Sequence, residues 1–262
     1  MEETTMNNLK HNFILICSAL LMLGLSMVAE AAQKNVVGHW TFEPGEELKD
    51  LTGNFVDITL KGAEVKGGQL DVGSGKWAIA SGYSGPKIAE KTMVSWASLD
   101  DLDVQAGSIL TIDRISVDEF DAMVFGERQS HRWMAGSSFF RRTQDPAPGF
   151  EEKKTGELIQ MAYTYEDSGG NAHITLYRNG EVFGDYTQGA LATWEKDDAE
   201  VFFGIRHGNT GGGPGNLDAH IEEARIYGEV LSQAEIKKLR VGGESVTSRD
   251  KLAISWAAIK AE

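Results

Sequence analysis

Cysteine is almost absent from this sequence: the only one, Cys17, lies in an apolar stretch near the N-terminus. A disulfide framework is thereby excluded, and no Cys/His spacing suits a zinc site. Proline is scarce too, 5 residues against 30 glycines, and no low-complexity linker divides the chain. Basic residues number 25 against 39 acidic ones, a net charge of −14. Such a surface repels phosphate backbones, so nucleic acid is not an expected partner. Only one long apolar run is present, the 16 residues from Phe13 to Val28, short of the roughly 20 a helix needs to cross a bilayer. Lys10 and His11 precede it and Ala29-Glu30-Ala31 follows, the pattern of a cleaved signal peptide over residues 1–31, with a retained membrane anchor as the alternative. The mature chain is then secreted or extracytoplasmic, at a cell surface or in a periplasm, without membrane contact. It carries 24 basic and 36 acidic residues, or −12, and no cysteine.

What is present is a series of short alternating runs. "HWTFE", "KTMVSWASL", "GSILTIDRI", "DAMVFGER", "LIQMAYTY", "HITLYRNGEVF" and "EVFFGIRHG" are rich in β-branched and aromatic residues and read as strands. Asn179-Gly180 is the dipeptide a type I′ hairpin needs, because both central residues must take positive φ. One helix start is clear: Ser232 and Glu235 form an S-x-x-E capping box, with Leu231 and Ile236 placed as a hydrophobic staple. The preceding stretch alternates, with Ile221, Glu223, Arg225 and Tyr227 on one side and Glu222 on the other. At 262 residues, many strands and one short helix predict an all-β fold: an antiparallel two-sheet jelly-roll sandwich with a short C-terminal capping helix.

The segments "GHWTFEPGEELKDLTGN", "TMVSWASL", "MAYTYEDSGGNAHITLYRNGEVFGDY" and "HIEEARIYGEVLSQAEIKKL" together resemble a laminin-G-like jelly roll of the concanavalin A-like lectin and glucanase superfamily, over residues 36–240. The resemblance implies that the last strand closes a sheet beside the N-terminal strand and that the helix plugs the sandwich end. It departs from the family at Ile159, Gln160 and Met161, where a Trp-His pair is usual, and at Glu222-Glu223, where Asp-Glu is usual. The superfamily's glycan-cleaving enzymes carry an E-x-D-x-x-E or E-x-D-x-E strand. Here Glu119 and Asp121 approach that pattern, but Met123 and Val124 occupy the positions of the second glutamate. Retaining hydrolysis needs two carboxylates about 5 Å apart, so catalysis is not the expected activity and no catalytic residue is assigned. The resemblance also implies a structural calcium ion. Glu43, Asp50, Asn54 and Glu222 are the candidate ligands, since calcium takes six to eight oxygens.

Cations concentrate in one place. "GERQSHRWMAGSSFFRRTQ" and "GIRHGN" supply Arg128, His131, Arg132, Trp133, Arg206, His207 and Asn209, a set suited to a groove for an acidic glycan. Period two places Arg128 and Arg132 on one face and His131 and Trp133 on the other, unless a bend intervenes near Gln129-Ser130. His131 and Trp133, with Arg206 nearby, are the favoured pair. The alternative is that Trp133 and Phe139 are core and the cations pair with Glu127, Asp145, Glu151 and Glu152. Beyond Gly242-Gly243, residues 241–262 form a tail in which Leu252, Trp256 and Ile259 mark a helix that docks on its own sandwich or on a protein partner. These features predict an exported, non-catalytic module for a carbohydrate or another extracellular ligand. A hydrolase or lyase of the same fold, and an adhesion module without a small ligand, are the alternatives.

Overall fold

The alternating runs become strands in the computed structural model, which describes residues 35–145, 149–208 and 213–243. The expectations for the leader with Cys17, for Asn209 and for the tail at Leu252, Trp256 and Ile259 lie outside these residues. The strands are β1 (Val36–Trp40), β2 (Thr59–Lys61), β3 (Glu64–Lys66), β4 (Gln69–Val72), β5 (Trp77–Ala80), β6 (Lys91–Leu99) and β7 (Gly107–Arg114). They continue with β8 (Phe120–Phe125), β9 (Trp133–Ser137), β10 (Ile159–Ser168), β11 (Asn171–Arg178), β12 (Glu181–Ala190), β13 (Ala199–Phe203) and β14 (Ala219–Tyr227). One α-helix, α1 (Gln233–Ile236), follows.

An eight-stranded sheet runs β12-β11-β10-β6-β14-β4-β3, with β1 also paired to β14, and a six-stranded sheet runs β2-β5-β13-β7-β8-β9. The named strand pairs are antiparallel. The expected jelly-roll sandwich is present, and β14 closes its sheet beside β1. Asn179 (φ 50°) and Gly180 (φ 76°) take the left-handed turn that the β11–β12 hairpin requires.

Apolar residues on the two inner faces build the core, and the largest are aromatic. Trp40 and Phe42 each meet the Phe203 ring edge-on, at 5.4 and 5.7 Å between centroids, and Phe55 lies 4.6 Å from Tyr83. Each such pair adds about 0.5–1.5 kcal/mol beyond the area it buries.

Two local expectations need correction. The alternation in β14 is broken by a bulge between Ile221 and Glu223, so Ile221 joins Ala224 and Ile226 in the core. Glu222 and Glu223 therefore do not oppose one another across the sheet; both bond polar partners, Gln69 and His39, rather than the core. Helix α1 also does not plug the sandwich end. The capping box and staple form as expected, but Leu231, Ile236 and Leu239 cover Val94, Trp96, Ala162, Tyr177 and Tyr227, a second apolar cluster on the outer face of the eight-stranded sheet. Val94 and Trp96 alternate with Met93 and Ala97 of the core, which gives β6 two apolar faces and makes a cover necessary.

Candidate ligand-binding surface

The Asp50-Leu51-Thr52-Gly53-Asn54 turn shows why an acidic motif need not bind metal. Asp50 is buried, and its Oδ1 accepts from the backbone N–H of His39 (2.8 Å) and Thr52 (3.1 Å). Its Oδ2 accepts from Thr52 Oγ1 (2.6 Å) and from the N–H groups of Asn54 and Phe55 (both 2.9 Å). Five donors occupy the lone pairs that calcium would use. Asn54 donates to the Val37 carbonyl at 3.1 Å, Glu222 accepts from Gln69 at 2.6 Å, and Glu43 is exposed beside the turn at Gly68. The calcium ligand set expected from the resemblance does not fit this arrangement. Among the described residues no group of three or more His, Cys, Asp or Glu side chains is placed to hold a metal ion.

Glu223 and Arg225, on the closing strand, serve a different purpose. Glu223 lies 2.6 Å from His39 Nε2 and accepts Arg225 Nε at 2.6 Å and the Gly242 N–H at 2.7 Å. Arg225 Nη2 donates to the carbonyls of Arg240 (2.9 Å) and Gly243 (2.6 Å). Burial alone would raise the Glu223 carboxyl, but the His39 bond and the Arg225 charge outweigh it and hold the group ionised. These side chains clamp the chain after α1 against the sheet.

Of Glu119 and Asp121, the nearest approach to a catalytic pair, Asp121 is drawn into the sandwich and Glu119 lies half-buried at its edge. Asp121 on β8 and Lys91 on β6 are both fully buried, and Lys91 Nζ donates to Asp121 Oδ2 at 2.7 Å, tying one sheet to the other. Arg142 Nε donates to Asp121 Oδ1 at 2.7 Å, and its Nη2 lies 2.5 Å from Glu119 Oε1 without hydrogen-bond alignment. The Lys91 ammonium also sits 3.9 Å above the Tyr165 ring and 4.1 Å above that of Trp194. Burial pushes Lys91 down to about 8, against the charge of Asp121. Burial would raise Asp121, yet Arg142 and Lys91 hold it below the usual carboxylate range.

The expected ligand groove is rearranged. Arg128 to Arg132 form the β8–β9 loop rather than a strand, so period two does not sort them; His131 has φ 59°. Trp133, on β9, is 1% exposed, packs against Phe125 at 4.9 Å and donates its indole N–H to Glu152 at 3.0 Å. Its face is not open to a sugar. His131 contacts Asp103 at 2.9 Å, and Arg132 contacts Glu151 at 3.6 Å. Arg206 contacts Glu127 and donates to the Gly213 carbonyl at 2.8 Å. His207 is 5% exposed and stacked on Phe120 at 5.0 Å. Pairing to acidic neighbours, the alternative at the sequence level, describes most of these residues; Glu152 takes Arg178 instead, at 2.8 and 3.0 Å.

The exposed aromatics lie elsewhere in the same segment. Phe139 is 74% exposed and Phe140 42%, and both hold left-handed backbone, φ 53° and 55°. That conformation costs a bulky residue roughly 1–3 kcal/mol and persists only where the surroundings impose it. The Arg141 guanidinium lies 5.2 Å from the Phe139 ring and that of Arg128 5.3 Å from the Phe140 ring. "SSFFRR" carries no signal that separates outward from inward phenylalanine, so sequence reasoning offered Phe139 only as core.

This architecture has relatives. The chain belongs to the concanavalin A-like lectin/glucanases superfamily: the Laminin_G_3 family model matches residues 73–237. Domain 4 of AbnA, an extracellular GH43 arabinanase from Geobacillus stearothermophilus solved in complex with arabinotriose, is similar in structure with a TM-score of 0.51 at 18% identity. That match covers 78% of this chain and 98% of that domain. The sialidase of Trypanosoma rangeli reaches 0.56 at 14% identity over 82% of this chain and 34% of its own. Botulinum neurotoxin type C, whose cell entry depends on interaction with two ganglioside molecules, reaches 0.51 at 12% identity over 78% of this chain and 50% of its own. This chain thus spans about a third of the sialidase and half of the toxin chain. At such identity the likeness is one of fold. The chain matches no curated protein by sequence.

Proposed function

We propose that this chain is an exported glycan-binding module that holds its ligand without cleaving it. The observation that carries this reading is the position of Asp121, fully buried between Lys91 and Arg142, with Glu119 paired to Arg142 beside it. A carboxylate pair that cuts a glycosidic bond must reach the sugar with one member protonated and one ionised. Here Asp121 joins the two sheets through Lys91, and Glu119 is paired with Arg142 beside it.

Binding is supported by the arabinotriose complex of the AbnA domain, which this chain covers almost completely, and by the ganglioside dependence of the toxin. Export is supported by the signal-like leader and by the extracellular AbnA relative. Among the described residues no helix is long and apolar enough to cross a membrane. The test is a panel of neutral, uronic and sulfated polysaccharides incubated with the protein, scored for retention and then for soluble products by chromatography. Retention without product is the expected result. Released oligosaccharides would make the chain a hydrolase or lyase, and neither retention nor product would leave an adhesion role.

A further inference from the structure

Residues 138–142 are built to hold two phenyl rings outward. The Arg142 N–H donates to Ser137 Oγ at 2.8 Å, and Thr143 Oγ1 donates to the Ala135 carbonyl at 2.7 Å. From β12, Gln188 Nε2 donates to the carbonyls of Phe140 (3.2 Å) and Thr143 (2.8 Å), and the Tyr186 hydroxyl donates to that of Arg142 (3.1 Å). Gly189 permits this approach, since a Cβ there would stand 2.3 Å from the Arg141 carbonyl oxygen. The Arg142 side chain runs inward to Asp121. The turn is therefore fastened from both sheets, yet both of its phenyl side chains stay exposed, Phe139 for most of its surface and Phe140 for 42%. A turn selected only for stability would place apolar rings inside. Left-handed backbone at two successive phenylalanines is retained against that preference, and such outliers concentrate where a surface meets a ligand.

The chemistry of the surface narrows the ligand. Each ring has a guanidinium about 5 Å away, Arg141 on Phe139 and Arg128 on Phe140. Arg128 Nε lies 3.1 Å from Asp145 Oδ1 without hydrogen-bond alignment, and Arg141 Nη1 stays 3.6 Å from Glu119 Oε2. A guanidinium carries five N–H donors, so one carboxylate neighbour leaves capacity for another. In a chain of net charge −14, a pair of exposed cations beside exposed rings is complementary to an anion that also presents a C–H face. We infer that the Phe139–Phe140 turn with Arg128 and Arg141 is the binding surface for an anionic saccharide. The sugar's C–H face meets the phenyl rings, and its carboxylate or sulfate takes the guanidinium groups. This deepens the glycan-binding reading and rests on it.

The experiment is calorimetric titration of the full chain with an oligogalacturonide, a heparin-derived oligosaccharide and a neutral arabino-oligosaccharide. Wild type is compared with Phe139→Ser/Phe140→Ser and with Arg128→Gln/Arg141→Gln, each checked by circular dichroism and melting. At least one anionic probe should bind wild type and lose about tenfold or more in affinity in each variant, while added salt weakens wild type more than the arginine variant. Anionic binding that survives both variants within about twofold overturns the site and leaves the glycan-binding reading standing. Preference for the neutral probe overturns the ligand class alone. Absence of binding to any saccharide, as for a module with a protein partner, overturns both. If the serine variant fails to fold, the arginine variant and Phe139→Leu/Phe140→Leu decide: leucine keeps apolar area without a ring face, so undiminished binding in both contradicts the inference.

Discussion

Two groups of ion pairs, interleaved in the sequence, show what burial does to the same chemistry. Inside the sandwich, Lys91, Asp121 and Arg142 form pairs of 2.7 Å with almost no solvent contact. On the β8–β9 loop, Arg128, His131 and Arg132 face Asp145, Asp103 and Glu151 at 3.1, 2.9 and 3.6 Å with solvent around them. The interior set costs desolvation and gains strong attraction, so no member can leave alone. Exposed pairs are screened, and each is worth about 0–1 kcal/mol. The interior network therefore belongs to the fold, while the surface cations remain available to a ligand at little cost in stability.

The comparison can be broken most severely at Asp121. Asp121→Ala strands the Lys91 ammonium in the core and should cost about 3–5 kcal/mol by denaturant unfolding. A loss below about 1 kcal/mol would mean that the pair is hydrated and the two regions are alike.

Asp113 tests what a buried carboxylate does without a cation. Burial pushes its carboxyl up to about 7, opposed by the Gly208 N–H and reinforced by Glu200, its cross-strand neighbour. A folded value above the unfolded one means that the native state binds the extra proton. Its stability contribution is complete below about pH 4 and fades as pH rises through about 7. Relative to Asp113→Asn, wild type should thus lose on the order of 4 kcal/mol between those limits. Parallel stability profiles for the two proteins would show that Asp113 is solvated.

A neutral cap at the surface lies lower on the scale. Ser232→Ala should cost about 0.5–2 kcal/mol, and Glu235→Gln much less, because the amide can still reach the Ser232 N–H. Equal losses would mean that charge, not the cap bond, stabilises α1. Smallest of all is Arg132→Ala, expected within about 1 kcal/mol of wild type. A larger penalty would place the loop pairs with the interior ones.

Strands with strong alternation were legible in the sequence, as were the Asn179-Gly180 turn and the Ser232 capping box, because each depends on local chemistry. The short strands β2 to β5 were not, since three or four residues carry too little periodicity to stand out. The β14 bulge escaped notice because an extra residue resets the alternation without any marker in composition. The surroundings of the site residues were not legible for a different reason. Burial of Trp133 and exposure of Phe139 depend on how the β8–β9 loop and the 138–142 turn pack on their neighbours, and a lone aromatic reads the same in either setting. Asp50 illustrates the same limit, since only geometry distinguishes a carboxylate that ligates calcium from one filled by five hydrogen-bond donors.

The most direct measurement of the central claim is amide chemical-shift mapping of the isotope-labelled protein during titration with an oligogalacturonide, with the sugar's own spectrum followed in the same tube. The account predicts shifts centred on Arg128, on residues 138–142 and on Gln188, little change at Lys91 and Asp121, and a sugar that stays intact. Shifts centred on Asp121 accompanied by cleavage of the oligosaccharide, or no shifts with any saccharide, would contradict it.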